Sequence, residues 1–174
     1  MRLVTHYVFT MGLLSLIMSM FTPYYLVLSG VVAIAGNLII DGLGHKEVQT
    51  RRGITIPTRT PLTHTYPRSV VWGFLPVIPF LAFGFMYGDF PWWLLLAGVL
   101  VGPSHMFLDM FTEAGVYVRR RGKWRRYALA HFRYNNPLAN GVAILLGFLM
   151  LVLSLHGSYH YYHHYEYHDY DWPF

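Results

Sequence analysis

The chain has 174 residues, enough for one domain, and is 55% hydrophobic, 18% aromatic and only 12% charged. Soluble domains carry about 25% charged residues, so this composition, with its long apolar runs, points to the membrane class. The absence of cysteine excludes disulfides, cysteine-ligated zinc and iron–sulfur clusters, and the net charge of +5 matters through its distribution.

Five apolar segments are expected to span the membrane as helices: residues 3–21, 24–40, 69–87, 92–111 and 138–155. Each approaches the ~20 residues that cross about 30 Å of hydrocarbon. Helices are required because lipid-exposed backbone must satisfy its own hydrogen bonds, and the alternation of barrel strands is absent. The first segment follows Arg2 and shows no small-residue cleavage site, so a retained helix is expected rather than a signal peptide. Short turns at Thr22–Pro23 and Gly88–Pro91 alternate with two long connections, 41–68 and 112–137. Pro67 and Pro137 suit first helical turns, and Asn135 and Asn136 are candidate caps. The expected fold is therefore all-α: an integral membrane bundle of about five transmembrane helices over 1–155, then a tail over 156–174.

All 13 Lys and Arg residues fall on one side of this arrangement. They are Arg2, then Lys46, Arg51, Arg52, Arg59 and Arg68, then Arg119, Arg120, Arg121, Lys123, Arg125, Arg126 and Arg133. The positive-inside rule makes that side cytoplasmic, with the N-terminus inside and the C-terminus outside a cell membrane. The run "RRRGKWRR" from Arg119 to Arg126 reads first as a topology signal and headgroup anchor; anionic lipid, phosphate and nucleic acid are weaker readings.

The same side collects ionisable groups. His6 opens the first helix, Asp41 and His45 close the second, His64 precedes the third, and His105 and Asp109 lie in the fourth. His105 and Asp109, four apart, share a helix face. Asp41 and His45 repeat that spacing if the helix continues through Gly42 and Gly44. Pro103 removes a backbone donor beside the site and favours a kink. Singly, each residue has an ordinary reading as an interfacial or loop histidine, a helix-ending aspartate or a local pair. Together they form a ligand set for a divalent metal, Zn²⁺ first and Mn²⁺ or Fe²⁺ as alternatives. Such a site hydrolyses phosphoesters, amides or esters through activated water. Asp109, Asp41 or Glu113 would be the general base. His131 and Arg133, in "AHFRYNN", and also Arg59 and Arg68, would bind an anionic substrate or oxyanion.

The segments "TH" at Thr5, "DGLGH" at Asp41, "TPLTHT" at Thr60 and "SHMFLDMFTEAGV" at Ser104 resemble the YdjM-type family of membrane-integrated metal-dependent hydrolases. The likeness covers about residues 5–140. It is closest to an archaeal branch of unknown function carrying "RTPLTHT" and "AHFRYNNP". It implies metal or catalytic roles for His6, Asp41, His45, His64, His105 and Asp109. Two positions depart from the family pattern. The second segment lacks one acidic residue and displaces its histidine, and Arg59 stands where the family has a histidine. A single-metal site and an inactive one both fit those departures.

The tail, "HGSYHYYHHYEYHDYDWPF", holds five His and six Tyr and no Lys or Arg. Ordering against the membrane or a partner subunit is expected, with a homo- or hetero-oligomeric contact, weak metal binding and pH sensitivity as readings. Two alternatives to the hydrolase stand: a proton or ion pathway, and a non-catalytic subunit of a larger membrane assembly.

Overall fold

The computed structural model describes residues 1–49, 53, 55–88 and 90–168, side chains excepted at 55–57 and 157–168. Arg51, Arg52 and the end of the tail, 169–174, lie outside the described residues. Six helices and two β-hairpins follow in the order α1 (Leu3–Met18), α2 (Tyr25–Gly44), β1 (His45–Gln49), β2 (Thr55–Arg59), α3 (Tyr66–Phe74), α4 (Ile78–Tyr87), α5 (Leu94–Asp109), β3 (Val116–Arg120), β4 (Lys123–Tyr127) and α6 (Pro137–His168).

The expected helices differ from these in three ways. The third is broken: α3 and α4 meet at a 46° bend. Pro76 and Pro79 lack the backbone N–H that would carry one helix through, and their rings crowd the preceding turn. The long connections are not irregular loops, because each contains an antiparallel hairpin. In the second, Arg121 and Gly122 take φ of 50° and 75°, the doubly left-handed turn that matches the twist of paired strands. The last helix continues past 155 into the tail, as far as His168.

Five spans are not supported. Among the described residues, α2 and α6 are long and apolar enough to cross a membrane, and the bent α3–α4 pair would make a third. Helices α1 and α5 have 16 residues each. At 1.5 Å per residue that is about 24 Å, short of the ~30 Å of hydrocarbon.

Small residues bring the helices together. A Cβ on Gly102 would overlap the Ser69 backbone, and one on Gly73 would overlap the Gly98 carbonyl, so α5 and α3 meet along a seam of small side chains. Gly12 of α1 and Gly147 of α6 likewise touch backbone to backbone. Gly147→Leu should therefore lower stability by about 1–3 kcal/mol through overpacking, read as a lower midpoint in thermal melts of the detergent-solubilised protein. An unchanged midpoint would mean that α1 and α6 do not meet there.

The apolar core runs between the helices through Leu14, Met18, Val32, Ile40, Val101 and Met106. Outward, Phe83, Phe85 and Met86 of α4 and Leu145 and Leu153 of α6 are exposed. An apolar surface of that extent needs a covering.

Polar ties gather at one end of the bundle. Thr65 caps α3 by accepting from the Arg68 N–H, and Asn136 caps α6 by accepting from the Ala139 N–H. Asn140 Oδ1 accepts from the Arg2 N–H and the Thr5 hydroxyl, fixing α6 to the start of α1. The hairpin segments dock at the same end. The Thr60 N–H donates to the Gly44 carbonyl, and the Tyr117 N–H to the His64 carbonyl. The ends of α2 and α5 and the beginnings of α1, α3 and α6 thus share one polar platform.

Candidate metal centre

Four chain segments converge on this platform. Helix α2 does continue through Gly42 and Gly44, which keeps Asp41 in its last turn. Gly44 has a packing reason to lack a side chain: a Cβ there would overlap Thr63 Oγ1 and the His64 ring. His64 can therefore close against the end of α2. His105 and Asp109 project from one face of α5, which runs as a single helix through Pro103.

Four atoms face one another. His105 Nε2 lies 3.2 Å from Asp109 Oδ2 and 3.4 Å from Asp41 Oδ1. His64 Nε2 lies 3.5 Å from Asp41 Oδ1 and 3.7 Å from Asp109 Oδ2. The His64, His105 and Asp109 side chains are fully buried, whereas Asp41 is 21% exposed.

The hydrogen bonds behind the two rings decide what those nitrogens are. Asn37 Nδ2 donates to the Ala33 carbonyl at 2.7 Å, so its Oδ1 is the atom facing His105 Nδ1, also at 2.7 Å. His105 Nδ1 must then donate, and Nε2 carries a lone pair. The Thr63 hydroxyl donates to the Ile40 carbonyl at 2.8 Å and so accepts from His64 Nδ1 at 2.9 Å. His64 Nε2 is bare for the same reason. Burial also pushes the His64 imidazole below its usual range, against the attraction of Asp41, which favours the neutral ligand form.

Two bare imidazole nitrogens thus point at two carboxylate oxygens. His64 Nε2, His105 Nε2 and Asp109 Oδ2 are buried without a hydrogen-bond partner. Leaving such atoms unsatisfied is costly, and two carboxylates in one buried site repel. A cation among them removes both penalties. Two sets of side chains, His6–His105–Asp109 and Asp41–His45–His64, each bring potential ligand atoms within 4.8 Å of one another. The platform therefore holds a His/Asp group able to bind a metal ion.

The second oxygen of Asp109 is differently engaged. Arg59 Nη2 donates to Oδ1 at 2.6 Å, while its Nη1 donates to Thr112 Oγ1 and the Gly115 carbonyl, each at 3.1 Å. His6 Nε2 lies 3.3 Å from that same oxygen, and its ring stacks on His105 at 3.9 Å. The Met1 amino group donates to it at 3.1 Å. Oδ1 thus meets cationic donors, and Oδ2 faces the two bare nitrogens.

The remaining candidates spread outward. His45 Nδ1 lies 2.7 Å from the Asp41 carbonyl, and its ring meets that of His64 edge-on. A cleft of about 610 Å³ reaches the site from the Asp41 side, lined among others by His45, Arg59, Glu113, Arg126 and Tyr134. Glu113 is exposed, 4.0 Å from exposed Arg133, a pair that solvent screens. Arg68 instead donates to the Pro61 carbonyl and lies over the Trp124 ring. His131 is exposed, outside the cluster.

Sequence reading missed the two residues that orient the ligands. Thr63 precedes His64 directly. Asn37 lies four residues before Asp41 in an apolar helix, and that spacing was the available signal. Asn37→Ala should weaken metal affinity by about 10–100-fold, the usual effect of losing a partner that orients a metal-bound histidine. Titration of the metal-free protein with Zn²⁺ would show it, and an affinity within a factor of two of the native value would contradict the assignment.

Comparison with curated proteins and with solved structures finds no match. A family model does match, over residues 1–108, a stretch that includes His6, Asp41, His45, Arg59, His64 and His105 and stops one residue before Asp109. By that match the chain belongs to the family described as "protein of unknown function (DUF1286)".

Proposed function

We propose that the chain is a membrane-integrated metal-dependent hydrolase working at the cytoplasmic lipid surface on an anionic phosphoester. The observation that carries this reading is the quartet of Asp41, His64, His105 and Asp109, with both imidazole tautomers held lone pair inward. Ligands about 2.0–2.1 Å from a tetrahedral ion stand roughly 3.3 Å apart. Four of the six separations within the quartet, the His–Asp ones at 3.2 to 3.7 Å, lie close to that figure. Two imidazoles with two carboxylates suit Zn²⁺ first, with Mn²⁺ and Fe²⁺ as alternatives. The likeness to the YdjM-type hydrolases supports the same reading.

An ion in this position supplies Lewis-acid polarisation and water activated near neutral pH. The residues do the rest. Glu113 lines the same cleft as Asp41, so it is placed to take the proton from an attacking water. Arg126 gives the cleft positive charge and would orient a phosphoryl group, while the Arg59 guanidinium holds Asp109. The buried helix ends exclude bulk water behind the ligands. The apolar outer faces of α4 and α6 meet lipid, and the basic hairpins lie at the headgroup level, inside by the positive-inside rule.

A second reading has its own observation. Four protein donors around one ion, with no position left open, would match structural zinc sites, so the ion would tie helix ends together within a non-catalytic subunit. Turnover separates the two. In nanodiscs, chelator-treated protein should lose phosphomonoester hydrolysis and regain it on adding Zn²⁺, with Asp41→Asn remaining inactive. Hydrolysis indifferent to chelation, or none in fully zinc-loaded protein, overturns the hydrolase reading.

A further inference from the structure

A second cavity backs onto the cleft. It measures about 270 Å³ and is lined almost wholly by apolar side chains, among them Phe9, Phe107, Phe111, Phe132, Val142 and Leu146. It opens between α1, α5 and the first turns of α6.

The partition between the two spaces is a short pairing of chain segments. The Phe132 N–H donates to the Phe111 carbonyl at 3.1 Å, and the Glu113 N–H to the Phe132 carbonyl at 2.9 Å. Phe111 and Phe132 line the apolar cavity, and Glu113 and Tyr134 line the cleft. Met1 lines both.

We propose that the two spaces form one binding site for a single-chain anionic amphiphile, an alkyl phosphate. Its hydrocarbon chain lies in the apolar cavity, and its phosphate sits in the cleft against Arg126. Apolar walls that meet no neighbour forfeit packing contacts. Its volume falls just below the usual range for small-molecule pockets, which suits one chain rather than a whole two-chain lipid. The cleft on the other side of Met1 supplies what a dent in a lipid-facing surface lacks: a place for the head. Arg126, in the cleft lining, fits that head as an anion. The unbranched, flexible Met1 side chain can yield to a chain passing over it. The phosphate end of the inference rests on the proposed hydrolase reading; the chain end rests on the cavity.

The test uses the full chain in nanodiscs and dodecyl phosphate carrying a photoreactive diazirine near the end of its chain. Label is expected on the α5 and α6 walls of the cavity. Dodecyl phosphate should displace it, and inorganic phosphate only at much higher concentration. Val142 is 50% exposed at the lip of the cavity, so Val142→Trp fills the entrance without disturbing the core. It should cut labelling about tenfold, and Leu146→Trp should do the same. Label spread over the outer faces of α4 and α6, or unaffected by both variants, means annular lipid only and overturns the proposal. Metal content is measured on the same samples. Cavity labelling in a protein that holds no metal overturns the hydrolase reading and keeps the chain site. Diffuse labelling in a metal-loaded protein overturns the chain site alone.

Discussion

His105→Ala is expected to release the metal, with affinity falling by more than the ~100-fold that loss of an orienting partner costs. The size of the effect follows from position. His105 Nε2 faces both carboxylates of the quartet, at 3.2 and 3.4 Å, and its ring also supports His6 by stacking. Its removal leaves two carboxylate oxygens facing one another with a single imidazole between them, and strands Asn37 Oδ1 without its donor. His131→Ala is the matched control, since His131 is exposed outside the cluster. Metal content should be unchanged there. Equal loss in both variants would contradict the assignment of the quartet.

The second large effect falls on stability. Arg59→Ala should lower it by about 3–5 kcal/mol, the range for breaking a buried pair and leaving one charge behind. The Arg59 side chain is 9% exposed and Asp109 is fully buried. The guanidinium binds Asp109, Thr112 and the Gly115 carbonyl together, so it joins β2 to the end of α5 and the approach to β3. Arg59→Lys should recover only part of the loss, because an ammonium cannot reproduce the planar fork. Thermal melts of native, Lys and Ala forms in detergent should rank in that order. An Ala variant as stable as the native chain would mean that Asp109 does not depend on Arg59.

The role of Arg59 shows where sequence alone ran short. Its residue type invited a substrate-binding reading. In the fold, one edge of it lines the cleft while its donors hold a buried carboxylate that lies 50 positions away. No local pattern encodes such a pairing. Arg68 differs in the same way, since the face of Trp124 that it covers exists only once β3 and β4 have paired.

The residues of the site were more legible than their surroundings. Spacing put His105 and Asp109 on one helix face, and alternation of turns and long connections put Asp41 and His64 at the same end. That inference needed only helix direction, which short turns fix. Span number needed helix length, and there hydropathy misled. Residues 69–87 are apolar throughout, but Pro76 and Pro79 divide them, and composition does not show whether a proline bends a helix or ends it. Pro103 has the opposite outcome, lying inside α5 without ending it. The hairpins were hidden because "RRRGKWRR" reads as a charge cluster. The Arg121–Gly122 step within it is a turn signal, and Val116, Val118 and Trp124 around it suit strands.

Elemental analysis of the purified, detergent-solubilised protein tests the central claim most directly. One zinc ion per chain is expected in the native protein, and none in His105→Ala or Asp109→Asn forms that keep their helical signal. A native protein that takes up no divalent metal at stoichiometric level, even after incubation with Zn²⁺, Mn²⁺ or Fe²⁺, would contradict it.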